Sequence, residues 1–184
     1  PSNSEICVTR AFAGKLADAV YWMDRGRIVT STHYLKEIPA WVRTFNDAGR
    51  VDAFFGRTWE RVLPATAYDT LVGPDDARGE AVDFGLGRTF PKRVDGGAGR
   101  ITPAYYDAVD CSPFSNEILV EFARAVVEHE NLGRRGSTDL LCLGFSANDK
   151  VGHSYGPDSH EVMDIPLRTD RLLADFFKFL DARV

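Results

Sequence analysis

A carboxylate and an imidazole stand four residues apart in the segment 146–157, as Asp149 and His153. The preceding residues 139–145 are mostly apolar and are closed by small polar residues, which predicts a buried strand that delivers a loop to a sheet edge. In open α/β sheets, ligands bind at the carboxyl ends of strands. Zinc accepts aspartate oxygen and histidine nitrogen, so the pattern predicts two ligands of a metal site in that loop.

The same spacing also fits a turn-forming aspartate beside a surface imidazole, and it leaves the ligand set incomplete. A catalytic zinc usually takes three protein ligands and keeps one position open. His160 is the local rival for the third ligand, although it would point from the first turn of the next helix. His33 fits a packed or surface position, and His129 fits the last turn of a helix, where positive charge suits the dipole.

Residues 149–157 read Asp-Lys-Val-Gly-His-Ser-Tyr-Gly-Pro, and further segments match the same family in the same order along the chain. Together they resemble the alkaline phosphatase superfamily, in its type I phosphodiesterase/nucleotide pyrophosphatase branch, over nearly the whole chain. Within that branch, the sequence is similar to single-chain bacterial alkaline phosphatases that use a threonine nucleophile. The other matching segments are residues 17–22, 29–34, 38–42, 112–117 and 158–170.

The resemblance implies an α/β fold, as part of an alkaline-phosphatase-like α/β/α sandwich with an accessory inserted region. It implies hydrolysis of small phosphate monoesters with two zinc ions, of which Asp149 and His153 would bind the one that faces the leaving group. The threonine nucleophile, the second zinc's ligands and the first zinc's remaining histidine match nothing here, so no catalytic residue is assigned. The chain is therefore predicted to be an internal segment of a larger enzyme, inactive without the rest of the parent polypeptide.

Two other functions fit the same residues. Metal ligands do not fix the leaving group, so a phosphodiesterase or nucleotide pyrophosphatase of the same superfamily is one alternative. A catalytically inert recognition or structural segment is the other. The family also has a Lys-x-Arg phosphate clamp, where this chain reads Val8-Thr9-Arg10. Arg10 is the candidate substrate-binding residue and a solvated surface arginine is the alternative reading. The missing lysine argues against the family's preference for monoesters more than against its metal chemistry.

Composition indicates a globular segment of 184 residues, with 44% hydrophobic residues and a formal net charge of −5. A mildly acidic chain with few clustered basic residues argues against a nucleic-acid surface. No apolar run is long enough to cross a membrane, and no signal peptide is visible at the start. Three cysteines give no disulfide framework. A periplasmic or secreted location is implied by the resemblance alone.

Periodic apolar residues predict two helices, over residues 115–130 and 159–182, with Pro166 causing a kink or a late start in the second. A strand is predicted over residues 27–32 and a short helix over 38–46. Aromatic residues of this first part are predicted to be core rather than ligand platform.

The order of elements divides the chain at residue 110. Residues 1–110 are predicted to form the accessory region beside the active site, by resemblance. Residues 111–184 are predicted to form a unit of helix, strand, metal loop and helix. That order is typical of a doubly wound α/β layer, so the unit is expected at one edge of the parent sheet.

Overall fold

Six α-helices and two small antiparallel sheets make up the computed structural model, which describes residues 16–81 and 83–183. Two short 3₁₀ turns, Asp52–Phe54 and Asp83–Gly85, complete the regular structure of these residues. In chain order, the strands and helices are β1 (Trp22–Asp24), β2 (Arg27–Val29), α1 (Ala40–Asp47), β3 (Arg57–Trp59), α2 (Ala65–Val72), β4 (Lys92–Val94), α3 (Pro103–Asp110), α4 (Phe114–His129), α5 (Ala147–Tyr155) and α6 (His160–Asp181).

Strands β1 and β2 form a hairpin whose two-residue turn is Arg25-Gly26. Both turn residues have positive φ, 44° and 76°, as a type I′ turn requires. A Cβ on Gly26 would lie 2.4 Å from Cε1 of Tyr106, so glycine is needed there for space as well as for conformation. Strand β2 is shorter than the predicted strand 27–32, because only its first three residues pair with β1.

Helices α4 and α6 confirm the two longer helix predictions. The predicted face of α4 is buried, including Ile118, Leu119 and Phe122. Helix α6 begins after Ser159, whose hydroxyl accepts a hydrogen bond from the Val162 backbone N–H at 3.2 Å, an N-cap arrangement. The helix continues past Pro166, so the predicted late start is wrong.

One hydrophobic cluster joins the first part of the chain to α4 and α6, and it crosses the predicted boundary at residue 110. Trp59 is fully buried, and the Tyr21 ring packs edge-on against Phe122 with centroids 5.4 Å apart. Burying a large apolar side chain contributes about 1.5–3 kcal/mol, so these aromatic residues bind the two parts together. The prediction that they are core is confirmed for Tyr21, Phe45 and Trp59, whereas Trp22, Tyr34 and Trp41 are half-buried.

Residues 139–145 do not form the buried strand that their sequence predicts. The segment is extended with a single β-bridge at Gly144, and Leu140 is 88% exposed. Leu141, Leu143 and Phe145 pack against a cluster on α4 and α6, so alternate side chains face the helices as in a strand. No strand among the described residues pairs with it, so within those residues the predicted strand is realised only as the bridge at Gly144.

No helix in the described ranges has the length and apolarity that a bilayer crossing requires. The cysteines that these ranges include, Cys111 and Cys142, are free thiols.

Candidate metal-binding site

Asp149 and His153 lie on one exposed face of α5, in its first and last turns. Residues four apart on a helix are neighbours on its surface, and here Asp149 Oδ1 is 3.7 Å from His153 Nε2. Their side chains are 76% and 81% exposed. The structure therefore brings the two predicted ligands together, but on a helix rather than on the predicted loop.

The helix forms despite unfavourable local sequence. Asn148 and Gly152 are poor helix formers, and they are the reason that the sequence favours a loop. Ala147, Val151 and Tyr155 are buried, and helix α5 packs against α6. In proteins, tertiary packing of an apolar face outweighs propensity, so the loop prediction is wrong.

The pair has the donor chemistry and nearly the spacing that zinc needs. Two ligand atoms at about 2.1 Å from a tetrahedral zinc lie about 3.4 Å apart, which is close to the observed 3.7 Å. A small rotation of either exposed side chain would close the difference. Within residues 16–81 and 83–183, no three His, Cys, Asp or Glu side chains form a group that could hold a metal. Asp149 and His153 thus offer two potential ligand atoms, and the described residues add no third one beside them.

His160 is held in a buried polar network and does not join the pair. The ring is 1% exposed, its Nε2 is 2.8 Å from the Gly73 carbonyl oxygen, and its Nδ1 is 3.2 Å from an Arg61 nitrogen. Nε2 donates to the Gly73 carbonyl, which only accepts, and Nδ1 lies between the Arg61 guanidinium and the Asp75 carboxylate, whose Oδ1 is 3.3 Å away. Both nitrogens are engaged, so the ring ties residues 61–73 to α6.

The other predicted candidates occupy simpler positions. His33 is exposed, with its ring edge-on to Tyr34. The His129 ring stacks on Trp41 at the end of α4, with centroids 5.0 Å apart. Arg10 lies outside the described residues.

A cavity of ≈ 370 Å³ opens beside His153, between α3, α5 and Phe84. Asp110 at the end of α3 pairs with Lys150 of α5 at 2.7 Å. Burial raises the pKa of the Asp110 carboxyl, and the adjacent Lys150 ammonium partly offsets that effect. The ion pair anchors the side of α5 that faces the cavity, and cavities of this size admit small ligands.

A buried charged cluster lies under the C-terminal end of α5, and sequence reasoning missed it. Lys92 and Glu161 are 0% exposed and Glu80 is 5% exposed. Lys92 Nζ is 2.8 Å from Glu161 Oε1 as an ion pair, and the carboxylate oxygens of both Glu80 and Glu161 have no well-aligned hydrogen-bond partner among the described residues. The alternation of side chains along β4 could have indicated the cluster, because it places Lys92 on the same buried face as Val94.

Replacing Glu80 by glutamine is expected to stabilise the protein at neutral pH. Burial, and then the nearby Glu161 carboxylate, raise the pKa of Glu80 above its usual 4.5. A raised pKa means that the folded state favours the protonated form, so wild-type stability falls as pH rises through the raised value. Glu80→Gln cannot ionise and avoids that loss.

Urea unfolding midpoints of wild type and Glu80→Gln, measured from pH 4 to pH 8, test this expectation. The two curves should converge at the acid end and separate as pH rises, with the variant more stable. Glu37→Gln, at an exposed position, is the matched control and should follow the wild type throughout. A Glu80→Gln variant that is less stable than wild type at pH 8 would contradict the conclusion that the buried Glu80 carboxylate destabilises the folded protein.

Comparisons with known proteins agree with the resemblance predicted from the sequence. The family model described as type I phosphodiesterase/nucleotide pyrophosphatase matches residues 2–184. The chain is 34% identical over 175 residues to alkaline phosphatase PhoV of Synechococcus elongatus, covering 93% of this chain and 31% of that protein. It is 32% identical over 182 residues to a Myroides odoratus protein named calcium-transporting ATPase, covering 94% of this chain and 32% of that protein.

The solved structures show the same relationship at the level of the fold. The crystal structure of wild-type alkaline phosphatase PafA superposes with a TM-score of 0.78 at 32% identity, over 89% of this chain and 31% of that one. This likeness confirms the predicted α/β fold class and its relation to the alkaline phosphatase fold. The chain spans about a third of the length of the relatives it matches.

Proposed function

The chain belongs to the type I phosphodiesterase/nucleotide pyrophosphatase family, and we propose on that basis that it is part of a zinc-dependent hydrolase of phosphate monoesters. One observation carries the proposal. Asp149 and His153, the residues that match a zinc-ligand pair of the family, lie 3.7 Å apart on one exposed helix face. Similarity to proteins named alkaline phosphatase supports the choice of monoesters over other phosphate esters.

In this proposal, Asp149 supplies an anionic oxygen and His153 a neutral nitrogen, and α5 holds both at a fixed separation. When bound, zinc would polarise the phosphoryl group and lower the pKa of a bound water. Ligands must be deprotonated to bind a metal, so acid would weaken the site by protonating either side chain. The cavity beside His153 would leave room for the group attached to phosphate.

The remaining ligands and the nucleophile are proposed to come from the rest of the polypeptide, since the chain spans 31% of the length of PhoV. Residues 111–184 would contribute the zinc pair. Residues 1–110 would shape access for the group attached to phosphate, with Arg10 as a phosphate contact. A periplasmic or secreted location, by family resemblance, is part of the same proposal.

Phosphodiester hydrolysis is the second candidate function, because the family description names phosphodiesterases and the segment 8–10 lacks the lysine of the monoester clamp. Assays of the full-length protein on p-nitrophenyl phosphate and bis-p-nitrophenyl phosphate separate the two. We expect the monoester to be hydrolysed faster, with activity lost in chelator and restored by zinc. Faster diester hydrolysis would favour the second function, and zinc-independent activity would contradict both. No hydrolysis of either would favour an inert segment.

The 184-residue chain by itself is expected to bind zinc weakly and to hydrolyse neither ester. A complete four-ligand zinc site gains about 10–16 kcal/mol, so two ligands should give a Kd no tighter than about 1 μM. Calorimetric titration of the isolated chain with zinc tests this, with Asp149→Ala as the control. Tight stoichiometric binding that Asp149→Ala abolishes would mean that this chain completes the site alone.

A further inference from the structure

A fully buried lysine lies beneath the end of the helix that carries the candidate zinc ligands. Lys92 of β4 is 0% exposed, and its ammonium contacts three separate segments. It pairs with Glu161 of α6 at 2.8 Å, donates to the Gly87 carbonyl at 2.9 Å, and lies 4.2 Å from the centroid of the Tyr155 ring. A cation over an aromatic face is an attractive contact, and the attraction is strongest where both groups are shielded from water.

Tyr155 connects the buried lysine to the helix turn that carries His153. It is the last residue of α5, two positions after His153, and only 4% of it is exposed. Its hydroxyl donates to the same Gly87 carbonyl at 2.9 Å, so the ring is held both by its face and by its tip. Two residues correspond to about half a turn of helix, so fixing Tyr155 fixes the direction in which the last turn presents His153.

Stability alone does not explain a lysine at this position. Removing an ammonium and a carboxylate from water costs several kcal/mol per ion, and well-packed apolar replacements of a buried pair are often neutral or stabilising. A methionine would fill the space but would not bind Glu161, Gly87 and Tyr155 in one fixed arrangement. The lysine therefore provides a charged link between β4, α6 and the end of α5.

We propose that Lys92 is a positioning residue for the zinc site, acting through Tyr155 to set the orientation of His153. The proposal rests on the proposed role of Asp149 and His153 as zinc ligands. It predicts that the charges of Lys92 and Glu161 can be removed without unfolding the protein, while the site above them loses affinity for zinc. Groups that orient metal ligands typically contribute 10–100-fold to affinity.

The test is zinc affinity by chelator competition, together with thermal unfolding, on the full-length protein. The double variant Lys92→Met/Glu161→Gln removes both charges and leaves no unpaired one in the ion pair. We expect it to melt near the wild-type temperature and to bind zinc about 10–100-fold more weakly. Lys178→Met, at an exposed position on α6, removes a lysine away from the cluster and should bind zinc as the wild type does.

Wild-type zinc affinity in a folded double variant would overturn the positioning role. Should the double variant fail to fold, Tyr155→Leu decides, because it removes the ring and leaves the Lys92–Glu161 pair in place. Unchanged zinc affinity in Tyr155→Leu would overturn the inference as well. If Asp149→Ala abolishes zinc binding while these variants do not affect it, only the inference fails. If the wild type binds no zinc at Asp149 and His153, the proposed function fails with it.

Discussion

His153→Ala in the full-length protein is expected to lower the rate of phosphate monoester hydrolysis by more than about a hundredfold. Loss of an outer-shell partner of a metal site already costs 10–100-fold, and loss of a ligand removes the Lewis acid and the activated water together. The side chain is 81% exposed on α5, so its truncation should leave the fold intact. Steady-state hydrolysis of p-nitrophenyl phosphate, with zinc content measured in parallel, provides the readout.

His33→Ala is the matched control, because His33 is also an exposed histidine and belongs to the segment between β2 and α1. It should retain wild-type turnover and zinc content. Asp149→Ala should reproduce the loss seen for His153→Ala, since both side chains are assigned to one ion. Near-normal turnover by His153→Ala at wild-type zinc content would show that the imidazole is not a ligand of the catalytic metal.

Asp164→Ala is expected to lower the free energy of unfolding by about 3–5 kcal/mol, the usual effect of removing one partner of a buried charged pair. Asp164 is fully buried in α6. Its carboxylate accepts from Trp59 Nε1 at 2.7 Å, the Tyr68 hydroxyl at 2.5 Å, the Val62 backbone N–H at 2.8 Å and Arg168 Nε at 2.5 Å. Burial, with the hydrogen bond to Asp164, raises the pKa of Tyr68 to about 12, so the hydroxyl stays a donor in alkaline solution.

Chemical denaturation of Asp164→Ala beside Asp175→Ala isolates the effect of burial. Both aspartates are on α6 and both pair with a basic side chain, but the Asp175 side chain is 66% exposed and pairs with Lys178 at the surface. Exposed pairs contribute about 0–1 kcal/mol, so Asp175→Ala should unfold close to the wild type. Similar decreases in the free energy of unfolding of the two variants would mean that the hydrogen bonds from the four donors to buried Asp164 do not add to stability.

Local signals were sufficient for the longer helices. The period of Ile118, Leu119 and Phe122 predicts α4, and α6 begins after Ser159, a residue type that favours N-caps. Helix α5 was not predictable in this way, because Asn148 and Gly152 favour a loop and only packing overrides them.

Pairing between strands depends on segments far apart in sequence, so it escaped local reasoning. The alternation of apolar residues in 139–145 is visible in the sequence and is realised against the helices. Whether a neighbouring strand is present cannot be read from the segment itself. The length of strand β2 was also not predictable from its own sequence, because it is set by pairing with β1, which ends at the pair Trp22 and Val29.

Part of the candidate site was predictable from the sequence and part was not. Spacing and family resemblance were enough to single out Asp149 and His153, which the structure places side by side. The buried cluster around Lys92 was missed because a lysine in sequence usually indicates a solvated surface. Only the packing of β4 under α5 and α6 makes it interior.

Anomalous diffraction at the zinc edge from crystals of the full-length protein would locate the metal directly. The proposed function predicts a zinc peak over α5, with a carboxylate oxygen of Asp149 and a ring nitrogen of His153 each at about 2.0–2.2 Å. Zinc bound only elsewhere in the protein, with no peak over α5 and neither side chain as a ligand, would contradict it.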